Sequence, residues 1–187
     1  MDYKEIIALG LLELNKTKSL SKITVKEIIN HCCISKQTFY NHFLDKFDLI
    51  IFIYEHYIIS DFSNPKSELN FYHSMVHVYE NIEKYGKFMK EAILMEGQNN
   101  LKDYIYQHCE QYDLAYHQHL YGKQMPEQLV FATKYHANAS SSMTISWILQ
   151  DFSVSPQQMA KLVCLLRGSG MDVFFGSERN PYQVEKN

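Results

Sequence analysis

Apolar residues recur along almost the whole chain with a period near 3.6, which predicts helices, and no stretch alternates strongly enough to be a strand. From Asp2 to about Asn15, Ile6, Leu9 and Leu12, with Ile7, Leu11 and Leu14 beside them, describe an amphipathic first helix. Thr24 and Glu27 are spaced as a capping box, and Val25, Ile28 and Ile29 form the stripe of a second, short helix. A tight turn falls at Cys32-Cys33-Ile34. Ser35 then caps a third helix whose Phe39 and Phe43, four apart, face inward together. Asp45 caps a fourth helix, about Lys46 to Asp61, apolar nearly all round and therefore buried on several sides.

Beyond the Pro65 break, the pattern predicts helices over about Leu69–Tyr85, Lys87–Met95, Asn100–Tyr121 and Pro126–Phe152. A last helix opens at Ser155-Pro156 and runs to about Met171, because serine caps and proline favours the first helical position. Gly176 onward reads as a frayed polar tail. The expectation is an all-α chain of about nine helices in two parts. Residues 1–46 form a three-helix domain with a helix-turn-helix, and residues 47–187 form a larger helical domain for ligand binding and dimerisation.

A hydrophobic content of 46% with 21% charged residues describes an ordered chain. The net charge of −3 does not suggest an anionic partner, but its distribution does. Residues 1–15 carry −2, residues 16–46 carry +4 through Lys16, Lys18, Lys22, Lys26, Lys36 and Lys46, and the remainder carries −5. A basic segment within an acidic chain is the electrostatic footprint of a phosphate backbone. No run is long and apolar enough for a transmembrane helix, and the first residues lack the basic region and apolar core of a secretory leader. Four cysteines with no C-x-x-C pair fit a reducing compartment, so a cytoplasmic location is expected, without membrane association.

The third helix carries Lys36, Gln37, Thr38, Tyr40, Asn41 and His42 around the inward pair Phe39 and Phe43. Short helices with such hydrogen-bonding side chains fit the major groove of DNA. Gln37 and Asn41 can pair bidentately with adenine, and Thr38 can touch a thymine methyl. Thr24-x-x-x-Ile28, followed by Ile34-Ser35-Lys36-x-Thr38-Phe39-Tyr40-x-x-Phe43-x-x-Lys46-x-x-Leu49, resembles the helix-turn-helix signature of the TetR family of transcription regulators. The match spans about residues 6–50. It departs from the family at Cys32-Cys33, where Ala-Gly is usual. Glycine there supplies a positive φ at little cost, so Cys33 is expected to strain or reshape the turn.

The resemblance implies phosphate contacts from Thr24, Tyr40 and Lys46, and a double-stranded operator read by a homodimer. It further implies repression, relieved when a small molecule enters the larger domain. Aromatic and imidazole residues suited to such a pocket are Tyr54, Tyr57, His77, Tyr104, His108, Tyr112 and His136, although tyrosines at helical spacing also arise as ordinary packing. The segment Phe131–Leu166, with Trp147 and the Ser155-Pro156 start, is similar to a Firmicutes-type subgroup of TetR C-terminal domains that includes regulators of dihydroxyacetone kinase operons. Control by a partner protein in place of a small molecule is the alternative this subgroup raises. The last two helices would pair with those of a second subunit.

The small residues Ala137 to Ser142 allow close approach of another helix or leave room for a ligand. His73 and His77 share a face, but no third ligand or H-E-x-x-H accompanies them, so no metal and no cofactor is expected. No phosphate loop, nucleophile elbow or carboxylate pair suggests an enzyme.

Overall fold

The computed structural model describes residues 2–66, 70–178 and 180–184. Among these the regular structure is helical throughout: α1 (Tyr3–Thr17), α2 (Val25–His31), α3 (Lys36–His42), α4 (Lys46–Ile53), α5 (Phe71–Lys84), α6 (Gly86–Ile93), α7 (Leu101–Tyr121), α8 (Glu127–Leu149) and α9 (Pro156–Phe175). The contacts divide them into two compact units. One runs up to Ile58 and adds Tyr85–Tyr104; the other comprises Ile59–Lys84 and the chain from Ile105 onward. The first unit is thus larger than the 1–46 segment marked out by the motif, since it takes in α4 and α6. The Leu69 start expected for α5 lies outside the described residues.

In the first unit α1 packs on α2, α3, α4 and α6. Its buried face is Ile7, Ala8, Gly10, Leu11 and Asn15, not the Ile6/Leu9/Leu12 stripe, and Leu9 is exposed. Six apolar residues cover two faces of this helix, and the small ones decide between them. A Cβ on Gly10 would meet Cys32 Sγ at 2.2 Å, so the missing side chain on α1 makes room for the Cys32 thiol. The neighbouring Cys33 has φ +52°, the left-handed conformation usual for glycine at this turn. Phe39, Phe43, Ile28, Leu49 and Ile50 close the core beneath α2 and α3.

The fourth helix is shorter than expected. Its α-helical part ends at Ile53 and a π-helical turn, Tyr54–Ile58, follows. Ser60–Phe62 is a separate 3-10 turn belonging to the second unit. Gly86 does not merely stop α5; it is buried and opens α6 after a single intervening residue.

In the second unit α9 packs on α5 and α8. Its interior is unusually polar. Arg167 of α9 lies 2.7 Å from Asp113 of α7, with both side chains almost wholly buried. Arg167 also donates through Nε to Ser140 Oγ at 2.9 Å. This is one use of the small-residue stretch in α8: Ala137 and Ser141 are buried, and Ser140 receives the guanidinium. Burial alone would lower the Arg167 pKa, but the Asp113 carboxylate more than offsets it and the group stays charged. Removing either partner would strand a buried charge, at a cost of about 3–5 kcal/mol.

Residues 180–184 pack against this core, contrary to the expectation of a frayed tail from Gly176; residues 185–187 lie outside the described residues. Asn180 Nδ2 donates to Gly168 O at 2.7 Å and to Asp172 Oδ1 at 2.6 Å, and Tyr182 is buried to 1% exposure. The Tyr182 hydroxyl meets His117 Nε2 at 2.5 Å, and His117 Nδ1 lies 2.8 Å from Thr133 Oγ1. Thr133 donates its own proton to Leu129 O at 2.7 Å. It must therefore accept from His117 Nδ1–H, which leaves Nε2 as the acceptor of the tyrosine proton.

Two outcomes follow. A left-handed φ costs an L residue about 1–2 kcal/mol, and glycine's extra unfolded-state freedom returns roughly 0.5–1 kcal/mol of that gain. Cys33→Gly is therefore expected to stabilise the fold by about 0.5–1 kcal/mol. Urea denaturation reads this; an unchanged or lower midpoint would refute the strain. Burial, with Arg167 and His136 adding to it and Asp113 opposing, holds His117 down to about 4. The unfolded chain then binds a proton near pH 6.5 that the folded chain refuses until about pH 4. Stability should be full above pH 6.5 and fall as pH drops from 6.5 toward 4. His117→Gln should flatten that part of the profile, and a slope identical to the parent's would assign it to other groups.

Candidate nucleic-acid interface

The starts of α2, α3 and α4 are fixed by local hydrogen bonds that the sequence encodes. Thr24 Oγ1 accepts from Glu27 N at 3.3 Å, while Glu27 Oε2 accepts from Thr24 N and Oγ1 at 2.9 Å each. Lys18 bonds the same carboxylate at 2.5 Å, and this contact first, then Thr24, holds Glu27 down to about 2, so it remains ionised. Ser35 caps α3 by accepting from Thr38 N at 3.0 Å, and Asp45 caps α4 by accepting from Asp48 N at 2.9 Å. Each cap satisfies an N–H that the helix cannot pair internally.

With Phe39 and Phe43 buried, α3 turns a defined side outward. Lys36 and Tyr40 are four apart, as are Gln37 and Asn41, and all four are exposed. The Lys36 ammonium stands 5.9 Å above the Tyr40 ring. The other four residues expected at DNA have intramolecular partners. Thr24 serves the capping box, and the Thr38 hydroxyl meets that of Ser35 at 2.8 Å. His42 stacks on Tyr3, with ring centroids 5.7 Å apart. Lys46 donates to the carbonyls of Ile23 at 2.8 Å, Leu20 at 2.9 Å and Ser21 at 3.4 Å. An ammonium has three donors, so Lys46 ties down the turn before α2 and can reach a phosphate only by releasing its longest bond. Burial, opposed by Glu27, lowers its pKa.

A second clamp on the same turn had no signature in the sequence. Glu91 of α6 accepts from Leu20 N at 2.6 Å and from the buried Asn15 at 2.9 Å. Lys87, one turn earlier on α6, donates to Asn15 O at 2.5 Å and Lys16 O at 3.2 Å. Those carbonyls end α1, where a helix leaves its last acceptors unpaired and favours a cation. The only hint in the sequence was an asparagine ending an amphipathic helix; its partners lie more than 70 residues away.

The seven residues expected in a ligand pocket divide between the two units. Tyr54, Tyr57 and Tyr104 belong to the first unit, and His77, His108, Tyr112 and His136 to the second. Tyr54 is buried edge-on to Tyr104, whose hydroxyl bonds Glu55, and Tyr57 packs on Tyr85. His77 is exposed and 3.0 Å from Asp61. His108 stacks on Tyr112, a buried tyrosine whose hydroxyl has no hydrogen-bond partner. His136 fills the space over Gly170, where a Cβ would come within 2.0 Å of its Nε2. A cleft of about 760 Å³ in the second unit is lined instead by Phe71, Cys164, Gly168, Asp172, Asn180 and Tyr182, among others. Among the described residues no group of three or more His, Cys, Asp or Glu could hold a metal ion, and no helix is long and apolar enough to cross a membrane.

Residues 70–167, just over half of the chain, match the family model of a TetR-type transcriptional regulator C-terminal region. Among solved structures, the dihydroxyacetone kinase operon activator DhaS is similar in fold, with a TM-score of 0.68 and 18% identity over 91% of this chain and 97% of that one. Among curated proteins nothing matches. The helix-turn-helix built on capped α2 and α3, the all-helical fold and the matched C-terminal region agree: the chain belongs to the TetR family of transcriptional regulators.

Proposed function

We propose that the protein is a homodimeric repressor that binds a palindromic operator through α3 and is released by a small-molecule effector. The observation that carries the DNA reading is the outward face of α3. Lys36, Gln37, Tyr40 and Asn41 form one contiguous polar surface, held rigidly from behind by Phe39 and Phe43. Gln37 and Asn41 suit base edges, while Lys36 and Tyr40 suit phosphates. Thr24, Thr38, His42 and Lys46 then act mainly by fixing the helix that presents this surface.

Dimerisation is supported by apolar residues left exposed on α8 and α9. Phe131, Tyr135 and Met143 lie along α8; Leu162, Leu165, Leu166 and Val173 lie along α9. Their spacing of three, four or seven to eight residues makes a stripe on each helix, suited to a bundle with the same two helices of a second copy. Two copies would place their recognition helices in successive major grooves about one turn apart. The effector's influence would reach α2 and α3 through α6. This helix follows α5 after one residue, and its Lys87 and Glu91 grip the end of α1 and the turn before α2. DhaS is an operon activator, which supports activation in place of repression as a second reading.

Fluorescence anisotropy on DNA from upstream of the gene should show binding that weakens steeply with salt. Tyr40→Phe should weaken it on all sequences alike. Gln37→Ala should cost about 1–3 kcal/mol and relax preference at one base position. Equal binding by parent and variants would rule out α3 as the reader. Analytical ultracentrifugation of Leu166→Asp should show monomers where the parent sediments as a dimer; a dimer that survives would place the interface elsewhere.

A further inference from the structure

The seat occupied by Tyr182 has the features of a small-molecule site. Its walls are Phe71, whose ring meets that of Tyr182 edge to face at 4.5 Å, and Arg167, whose guanidinium lies 5.5 Å from the Tyr182 ring and 5.6 Å from that of Phe71. Its floor is His117 Nε2, which the hydrogen-bond chain through Thr133 and Leu129 fixes as an acceptor. Asp113 neutralises Arg167 within the same core. The seat therefore offers the Phe71 ring set edge to face, the acceptor His117 Nε2, and a guanidinium that also bonds the Tyr182 hydroxyl while Asp113 matches its charge. That combination selects a neutral planar aromatic carrying an O–H donor. A carboxylate would bring a buried charge that no cation remains to match.

What fills the seat is a side chain on a short segment without helical structure. Residues 180–184 form no helix, and Gln183 is exposed. Asn180 holds the segment to α9 through Gly168 O and Asp172 Oδ1, the Tyr182 amide donates to Asn180 Oδ1 at 3.0 Å, and Gln183 Nε2 donates to Ser177 O. The 760 Å³ cleft runs along this segment and is bounded by Phe71, Gly168, Asn180 and Tyr182 themselves. Its volume is typical of small-molecule sites, and it gives a ligand a route to the seat alongside the residue it would displace. Tyr182 is thus a built-in occupant of a site shaped for a phenol.

We infer that the effector is a neutral phenolic compound that takes the seat of Tyr182 and expels the 180–184 segment from the core of the second unit. This rests on the reading of the protein as an effector-controlled regulator. Occupancy by the segment sets the threshold, because a ligand must compete with a tethered tyrosine at high effective concentration.

The test uses the full chain and p-cresol, which reproduces the tyrosine side chain. Hydrogen–deuterium exchange of peptides spanning 177–184 should accelerate in the parent when p-cresol is added. By calorimetry, Tyr182→Ala should bind p-cresol at least ten-fold more tightly than the parent does, since the competitor is gone. Toluene, which lacks the O–H, should bind that variant at least ten-fold more weakly than p-cresol. Should Tyr182→Ala fail to fold, Tyr182→Phe keeps the ring and loses only the bond to His117. It should show faster exchange of the segment and a several-fold gain in p-cresol affinity. Unchanged exchange in the parent together with no affinity gain in either variant would make the segment a fixed part of the core and overturn the proposal. Toluene binding as well as p-cresol would overturn the assigned role of His117. Operator anisotropy in the same titration separates the two readings. Displacement of the segment without loss of DNA affinity would overturn the effector role while leaving DNA binding intact. Displacement in a protein that binds no operator would overturn the repressor reading while supporting the phenol site.

Discussion

The ion pair between Asp113 and Arg167 organises the second unit. A guanidinium taken out of water must have its charge matched and its donors placed, or the chain will not fold around it. Here that requirement draws in every major element of the unit. Asp113 comes from α7 and Ser140 from α8, Phe71 of α5 covers one side, and Tyr182 of the last segment covers another. The same requirement explains why small residues are needed in the middle of α8 and why glycines are tolerated near the end of α9. Gly170 gives way to His136, and Gly168 exposes the carbonyl that Asn180 uses.

The first unit is held by the opposite kind of chemistry. Its core is aliphatic and aromatic, and its polar contacts lie around the rim, where they set the position of two short helices. Seven-residue helices are marginal by themselves, so α2 and α3 depend on caps at their starts and on Phe39 and Ile28 beneath. The turn before α2 is fixed from two directions: Lys46 collects its carbonyls, and Glu91 collects its first N–H. Lys46, which the resemblance places at a phosphate, is in this structure a brace on the turn before α2.

In the proposed regulator, α6 is the element that would carry the signal. It is chained to α5 through Tyr85, and its Lys87 and Glu91 are the polar hold on the end of α1. Phe71 begins α5 and is also a wall of the Tyr182 seat.

The sequence by itself determined the helices, their caps, the helix-turn-helix and the family. These features depend on residues within a few positions of one another: Thr24 with Glu27, Ser35 with Thr38, Phe39 with Phe43. Period and capping are local physics and survive translation into structure almost unchanged. Even the strain at Cys33 was legible, because a left-handed turn position is a property of one residue. The tertiary structure decided what depends on distant partners. The apolar residues of α1 fitted two faces, and Gly10 against Cys32 chose between them. The fourth helix read as continuous, yet it passes into a π-helical turn at Tyr54. The seven aromatic and imidazole candidates fell into two separate units because helical spacing fixes a face but not what faces it. The hold of Glu91 on Asn15 and the seat of Tyr182 against His117 join residues 76 and 65 positions apart. No local pattern encodes such pairs, since only the packed chain brings a buried donor to its one available acceptor.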